Sequence, residues 1–356
     1  MVRLSISKLE RFSKRVGGEP VWIGMDVHKR SYHVALRTGS GLSETFVSPS
    51  EPKSFVKLLH RLSLKVALVV YEAGPTGFGL ARALEEVGLP VFVVAPSKVL
   101  RPVRPGSKTD RLDCLKLAEY AVKGLTKPIA VPSEEEEADR SLIRRRHQVV
   151  DDLRRVKQRI KSLLLCYGVA EPAGLETWSN KSIAKLERTI LPGRARITLR
   201  SMIRELRFVA KELGRIDQEL KRMAALKRHR KKVSTLRTIP GVGPVAAVAF
   251  CLEIFSPKRF NRPEEIASYL GLAPTVRQSG EGKKRGRIVP TGQKRLRSIL
   301  VEAAWTFKRY DPGAREFYNR ILAKTGVAQK AICALARKLA IIMWRLCLEQ
   351  RSYRPA

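Results

Sequence analysis

The chain has 356 residues and a mass of 40.0 kDa, enough for two or three folded units at roughly 100–200 residues each. Its 70 Lys and Arg against 33 Asp and Glu give a net charge of +37 and a pI near 10.6, so it repels itself unless a polyanion neutralises it, and nucleic acid is the expected partner. A hydrophobic content of 44% excludes general disorder. Met1 to Pro20 lacks the apolar stretch of a secretory signal, and the longest uncharged apolar run, Val242–Leu252, falls short of the ~20 residues that cross a bilayer. Five cysteines, with no CxxC pair among them, exclude a zinc ribbon and fit a reduced cytoplasmic protein. The five histidines show no metal-ligand spacing, so carboxylates are expected to hold any metal.

Residues 1–19 read as a basic N-terminal extension. After it, Val21–Met25, Ser31–Leu36 and Leu42–Val47 read as three strands joined by tight turns. A helix over Pro52–Leu62, a buried strand over Val66–Tyr71, a helix over Gly77–Val87, a strand over Pro90–Val94 and a helix over Thr109–Val122 complete the order βββ-α-β-α-β-α. That order predicts an α/β domain over residues 20–130, a mixed sheet with helices packed on it in an RNase H-like or RuvC-like arrangement. The acidic patch Glu134–Glu137 marks a boundary. Beyond it Leu142, Val149, Leu153, Val156, Ile160 and Leu163, and later Leu199, Ile203, Leu206, Ala210, Leu213, Leu220 and Ala224, recur at a/d spacing. They predict a connector of two long helices, in the manner of a coiled coil, over 131–232, with 171–193 as its tip. Residues 140–232 alone carry +17, which reads as a nucleic-acid-facing spacer or, more blandly, as a solvated helical face.

Residues 233–356 read as an all-α domain. It opens on a helix-hairpin-helix over 236–252, with the core Thr238-Ile-Pro-Gly-Val-Gly-Pro-Val-Ala-Ala247. There Gly241 and Gly243 let backbone N–H groups approach a phosphate. A helix over Pro263–Leu270, a polar loop to Arg287, and helices over Lys294–Phe307 and Ala328–Leu348 follow.

Four acids stand out by position. Asp26 ends the first strand, Glu72 ends the central one, and Asp110 and Asp113 share a face at the start of a helix. Meeting at one sheet edge they would repel each other unless divalent cations lay between them. Mg²⁺, or Mn²⁺ in its place, suits such an all-oxygen set and the cleavage of a phosphodiester. Taken singly, the Asp110–Asp113 pair reads equally well as an acidic cap on its helix. Ser279 lies in Arg277-Gln-Ser-Gly-Glu-Gly-Lys-Lys-Arg-Gly-Arg287, where Arg277, Lys283, Lys284, Arg285 and Arg287 can hold a phosphate. On its own a Ser-Gly step there reads as a plain turn.

The successive motifs Gly24-Met-Asp26-Val-His-Lys29, Tyr71-Glu72-Ala-Gly74 and Lys108-Thr-Asp110-Arg-Leu-Asp113 resemble those of the DEDD transposases of bacterial insertion sequences. That family includes Piv-like DNA invertases and bridge-RNA-guided recombinases. Ile239-Pro-Gly-Val-Gly243, Tyr269-Leu-Gly-Leu-Ala-Pro274, Gln278-Ser-Gly280 and Leu296-Arg297 ahead of Glu302-Ala-Ala304 extend the resemblance over nearly the whole chain, in order. It implies that Asp26, Glu72, Asp110 and Asp113 bind metal, and that Ser279 is a nucleophile forming a 5′-phosphoserine link with DNA. Ser268 is the nearest rival for that role. The resemblance further implies target and donor DNA as substrates, a structured non-coding guide RNA as partner, and a dimer or tetramer whose subunits share a composite site. Its place of action would be the nucleoid of a bacterial cytoplasm. Two other readings compete: a metal-dependent Holliday-junction resolvase in which Ser279 is only a loop residue, and a non-catalytic nucleic-acid-binding protein.

Overall fold

The computed structural model describes residues 6–96, 110–279, 282–288 and 292–355. Outside them fall Lys108 and Thr109, which belong to the third motif, and Gly280 beside Ser279. The chain divides into two compact units, Met1–Val131 and Pro132–Ala356.

The first unit comprises α1 (Ile6–Val16), β1 (Val21–Val27), β2 (Ser31–Thr38), β3 (Ser43–Pro49), α2 (Pro52–Arg61), β4 (Val66–Glu72), α3 (Gly79–Glu86), β5 (Val91–Val94) and α4 (Asp110–Val122). Its five-stranded sheet has the order β3-β2-β1-β4-β5. The first three strands are antiparallel, whereas β4 and β5 run parallel to β1. This is the mixed sheet expected for an RNase H-like domain. Alternation along β1 sorts its residues between two faces. Ile23 and Met25 enter a core with Phe55 and Leu59 of α2 and Leu80 and Leu84 of α3. Leu9, Phe12 and Val16 of α1 join that core, so the described part of the basic N-terminal extension carries a docked amphipathic helix. The other face meets α4 through two small patches, Val70 and Val94 with Leu117 and Ala121, and Ala35 with Cys114 and Ala118.

Gly24 sets the spacing on that face. A Cβ there would stand 2.1 Å from the Cys114 carbonyl oxygen and 2.4 Å from the Ala118 nitrogen. Both are backbone atoms of α4, so the helix rests on bare main chain.

The second unit begins with α5 (Glu134–Cys166), α6 (Asn180–Glu187) and α7 (Gly193–Ala225). Ser133 caps α5 in a reciprocal capping box with Glu136, which is what the acidic patch does structurally. At ~1.5 Å per residue the two 33-residue helices are each about 50 Å long. They pair antiparallel, with Arg159 2.7 Å from Glu205 and Arg146 2.5 Å from Asp217. The expected seam is apolar and buried at Val156, Ile160, Leu199, Ile203 and Leu206, and Leu175, Ile183 and Leu186 of the tip close its far end.

Next come α8 (Lys227–Arg237), α9 (Pro244–Ile254), α10 (Pro263–Tyr269), β6 (Pro274–Ser279), β7 (Gly282–Ile288), α11 (Lys294–Tyr310), α12 (Pro312–Thr325) and α13 (Ala328–Glu349). Most of the apolar run Val242–Leu252 lies in α9, which is buried on every side from Ala246 to Ile254. Among the described residues, no helix is long and apolar enough to cross a membrane. Packing does not break at residue 233. Ile143 and Val149 of α5 and Ile216 and Leu220 of α7 share one core with α9, α11 and α13. Buried polar contacts reinforce the join: Asp139 lies 2.8 Å from His229, and Glu253 lies 3.2 Å from Arg140 and 3.4 Å from Arg144.

Two sequence expectations change here. The segment after Pro274 is an antiparallel hairpin of β6 and β7 rather than a loop. Helix α12, unexpected from periodicity, is capped by Asp311, whose carboxylate accepts from the Ala314 N–H at 2.7 Å.

Gly24→Ala forces α4 off the sheet. Overpacking of this kind costs about 1–3 kcal/mol, and chemical denaturation of the Gly24→Ala variant should show a loss at the upper end of that range, because neither contacting atom belongs to a side chain that can turn away.

Candidate metal centre and nucleic-acid surface

β1 and β4 are adjacent and parallel, with Met25 opposite Tyr71. Asp26 and Glu72 each follow that pair by one residue, so both lie at the carboxyl ends of neighbouring strands. Residues of like register on parallel neighbours share a face. Asp26 shares its face with Gly24, and Glu72 with Val70, the face on which α4 packs. Asp110 and Asp113 occupy the first turn of α4. The close approach at Gly24 therefore seats α4 directly on β1, with its first turn towards the strand's carboxyl end.

Contacts tighten this picture. Nε2 of His28 stands 3.3 Å from Oδ2 of Asp26 and 3.3 Å from Oδ2 of Asp110. The buried Cys114 thiol is pushed up to about 11, first by burial and then by the charges of Asp26 and Asp113, which it feels together. Asp26, Asp110 and Asp113 thus surround one short stretch of β1 and α4, while register puts Glu72 beside Asp26. The Asp110 side chain is 50% exposed and that of Asp26 28%, so a polymer can reach the edge from solvent. Hard carboxylate oxygens at an open edge suit a hydrated divalent cation.

Two histidines, expected from their spacing to stay out of any metal site, also lie at this edge. His28, His33 and Asp110 place one ligand atom each within 4.8 Å of one another. Linear spacing hid this, because the residues meet through hairpin register: β1 and β2 pair Asp26 with His33, and His28 begins the turn between them. Counting back across that turn from the alternation of β2 would have found His33.

The helix-hairpin-helix turn lies between α8 and α9 and lines an open concavity of about 460 Å³ formed by Arg237 to Pro244. Its two glycines have different reasons. Gly241 has φ +85°, and a Cβ there would lie 2.7 Å from the Ala303 carbonyl oxygen and 2.7 Å from the Phe307 nitrogen of α11. Packing alone requires it. Gly243 has φ −75° at the N-cap of α9, with nothing within 4 Å of a Cβ, so neither packing nor backbone conformation requires a glycine there.

Ser279 is the last residue of β6 and pairs with Gly282. The hairpin register sets Arg277 opposite Lys284 and Gln278 opposite Lys283, with Arg285 opposite Val276; Arg287 lies further along β7. Gly292, at φ +92°, lets the returning chain pass against the Tyr269 carbonyl oxygen and the Gly271 nitrogen. There Gln293 N–H donates to Tyr269 O at 2.9 Å, and Arg297 donates to Gly271 O at 3.2 Å. The strands thus leave from a fixed base between α10 and α11. Ser268, the rival serine, sits exposed within α10.

Gly243→Ser separates packing from contact. Serine is a better N-cap than glycine by a few tenths of a kcal/mol, so the melting temperature should hold or rise while nucleic-acid affinity, measured by fluorescence anisotropy, falls about 10-fold, a loss near 1.4 kcal/mol. Gly241→Ala should do the reverse, lowering stability first.

A family model described as the transposase IS116/IS110/IS902 family matches residues 233–319, and a DEDD model of the IS110 type, described as transposase, matches 23–168. A protein of Sinorhizobium fredii named as a transposase, y4qE, is 34% identical over 79% of this chain and 75% of its own length. The transposase for insertion sequence element IS1533 of Leptospira borgpetersenii is 28% identical over 94% of this chain and 97% of its own. The pilin gene-inverting protein of Moraxella bovis is 28% identical over 74% and 72%. With both halves matched in order, the chain belongs to the IS110 family of insertion-sequence transposases.

Proposed function

We propose that this transposase is a site-specific DNA recombinase that cuts and rejoins strands through Ser279 with the help of cations held by Asp26, Glu72, Asp110 and Asp113. The observation that carries the reading is the convergence of strand-end and helix-start carboxylates on one face of the sheet. Mg²⁺ or Mn²⁺ bound there supplies Lewis-acid stabilisation of the charge that develops on a phosphodiester. The protein's own groups do the rest. Ser279 Oγ attacks phosphorus, forming a P–O bond and giving up its proton, as the 3′ oxygen leaves and gains one. Attack by the 3′ hydroxyl of another strand reverses the step, so strands are exchanged without net hydrolysis. Arg277, Lys283, Lys284, Arg285 and Arg287 crowd positive charge onto the hairpin that ends at Ser279, and this charge is relieved when a phosphate arrives.

The resemblance to bridge-RNA-guided members supports a structured RNA of the element as guide, pairing with target and donor DNA while the protein reads backbone and shape. The +17 of residues 140–232 suits a protein that must hold two kinds of polyanion. Exchange joins four strands, and a dimer or tetramer acting on the bacterial nucleoid supplies the sites.

Asp26→Asn and Glu72→Gln should each lower strand cleavage by about 10²-fold or more, the scale of losing an electrostatic transition-state contact. Ser279→Ala should abolish the covalent protein–DNA adduct seen by denaturing electrophoresis with the cognate RNA present. Cleavage that persists in Ser279→Ala without an adduct would instead identify hydrolysis in the manner of a junction resolvase.

A further inference from the structure

We propose that His28, His33 and Asp110 form a nitrogen-containing binding site for a borderline first-row divalent cation of the Zn²⁺ and Co²⁺ class, next to the all-oxygen carboxylate set and sharing Asp110 with it. The proposal deepens the reading of this sheet edge as a metal centre and rests on it.

The spacing is the first ground. Nε2 of His28 lies 3.3 Å from Oδ2 of Asp110, and Nε2 of His33 lies 3.6 Å from the same oxygen. Donor–donor edges of about 3.4 Å are what a tetrahedron with bonds of ~2.1 Å requires. Direct charge-assisted hydrogen bonds run shorter, at about 2.7–2.9 Å, and the chain makes one elsewhere, between His229 and Asp139 at 2.8 Å. Two of the three donor–donor edges thus have the length that an ion between them would set, and the third lies within 4.8 Å.

The second ground is how they are held. His33 lies within β2, opposite Asp26. His28 is fixed by its backbone N–H, which donates to Ser31 O at 3.0 Å across the turn. The two rings meet edge to face, with centroids 5.5 Å apart and planes at 90°, so the imidazoles come from one hairpin and are set before any ligand arrives. Asp110 comes from the helix that Gly24 seats on the sheet. All three side chains remain partly open, at 46%, 27% and 50% exposure.

Donor chemistry then decides the ion. Mg²⁺ demands oxygen ligands in near-octahedral geometry and keeps its waters. Imidazole nitrogen favours zinc and its neighbours, and affinity for mixed N/O sites rises along the first-row series. A cation of that class is held here in excess Mg²⁺, and because it takes Asp110 it draws that carboxylate away from the oxygen set.

The test uses the full chain, stripped of metal, with Zn²⁺ titrated calorimetrically and Co²⁺ followed by its visible ligand-field absorption, both in millimolar Mg²⁺. Wild type should bind one Zn²⁺ and give the intense Co²⁺ bands of a low-coordinate nitrogen site. His33→Gln should weaken Zn²⁺ by at least about 10-fold, and His28→Gln, an exposed and structurally milder change, should do the same with an unchanged melting temperature. Mn²⁺ binding, read by electron paramagnetic resonance, should survive both changes and fall in Asp26→Asn. Equal Zn²⁺ affinity in wild type and both histidine variants, or Co²⁺ bands unaltered by them, overturns the nitrogen site while leaving the carboxylate centre intact. Mn²⁺ binding that ignores Asp26→Asn overturns the metal reading of the whole edge.

Discussion

The missing side chain at Gly24 governs the first unit. With a carbonyl oxygen of α4 2.1 Å from where a Cβ would be, helix and strand touch main chain to main chain. That contact fixes the height of α4 above the sheet and hence where its first turn ends up. Ala35 and Ala118 continue the close fit, both fully buried. Asp110 comes to the end of β1, with His28 between it and Asp26, because nothing larger than a hydrogen separates strand and helix at Gly24. A centre built from strand ends and a helix start depends on such a contact, since neither element alone carries enough carboxylates.

Much of this was legible in the residues, and the rest fails for identifiable reasons. Strand-end acids could be read because β1 and β4 are apolar runs with a single acid at the end, as in Val66-Ala-Leu-Val-Val-Tyr-Glu72. The role of Gly24 was not legible, because its partner atoms lie some ninety residues away on α4. The meeting of His28 and His33 was not legible for a related reason: five residues apart is no ligand spacing on a helix, and only the turn between β1 and β2 folds them together. β6 and β7 read as a loop because five basic side chains and three glycines suppress every apolar alternation. α12 lacks a strong stripe and buries only Ala314 and Tyr318, so its existence rests on Asp311 as cap and on its neighbours.

The second unit solves a different problem, joining a long basic helical pair to a compact helical core. Apolar contacts at Ile143, Val149, Ile216 and Leu220 do most of it. The buried polar links choose the register. Glu253 is 2% exposed and answers to two arginines of α5, and Asp139 is bound by His229 at 2.8 Å and Arg228 at 3.0 Å. Buried ion pairs add little net stability over an apolar replacement, yet stranding one partner costs about 3–5 kcal/mol. A slip of α5 by one turn would strand both acids at once, so the arm has one seating on the core.

Charge explains why the proposed centre needs cations beyond their chemistry. A chain at +37 attracts nucleic acid, and the hairpin ending at Ser279 sets Arg277 across from Lys284, a like-charge pair that favours a bound phosphate. The edge formed by Asp26, Glu72, Asp110 and Asp113 opposes that field locally and repels the same backbone. A phosphodiester can settle there only when divalent ions have reversed the sign of the edge. On the proposed function, binding and cutting would thereby be separated within one protein: basic positions attract the polyanion whether or not metal is present, whereas a phosphate would enter the acidic edge on condition that cations are bound there.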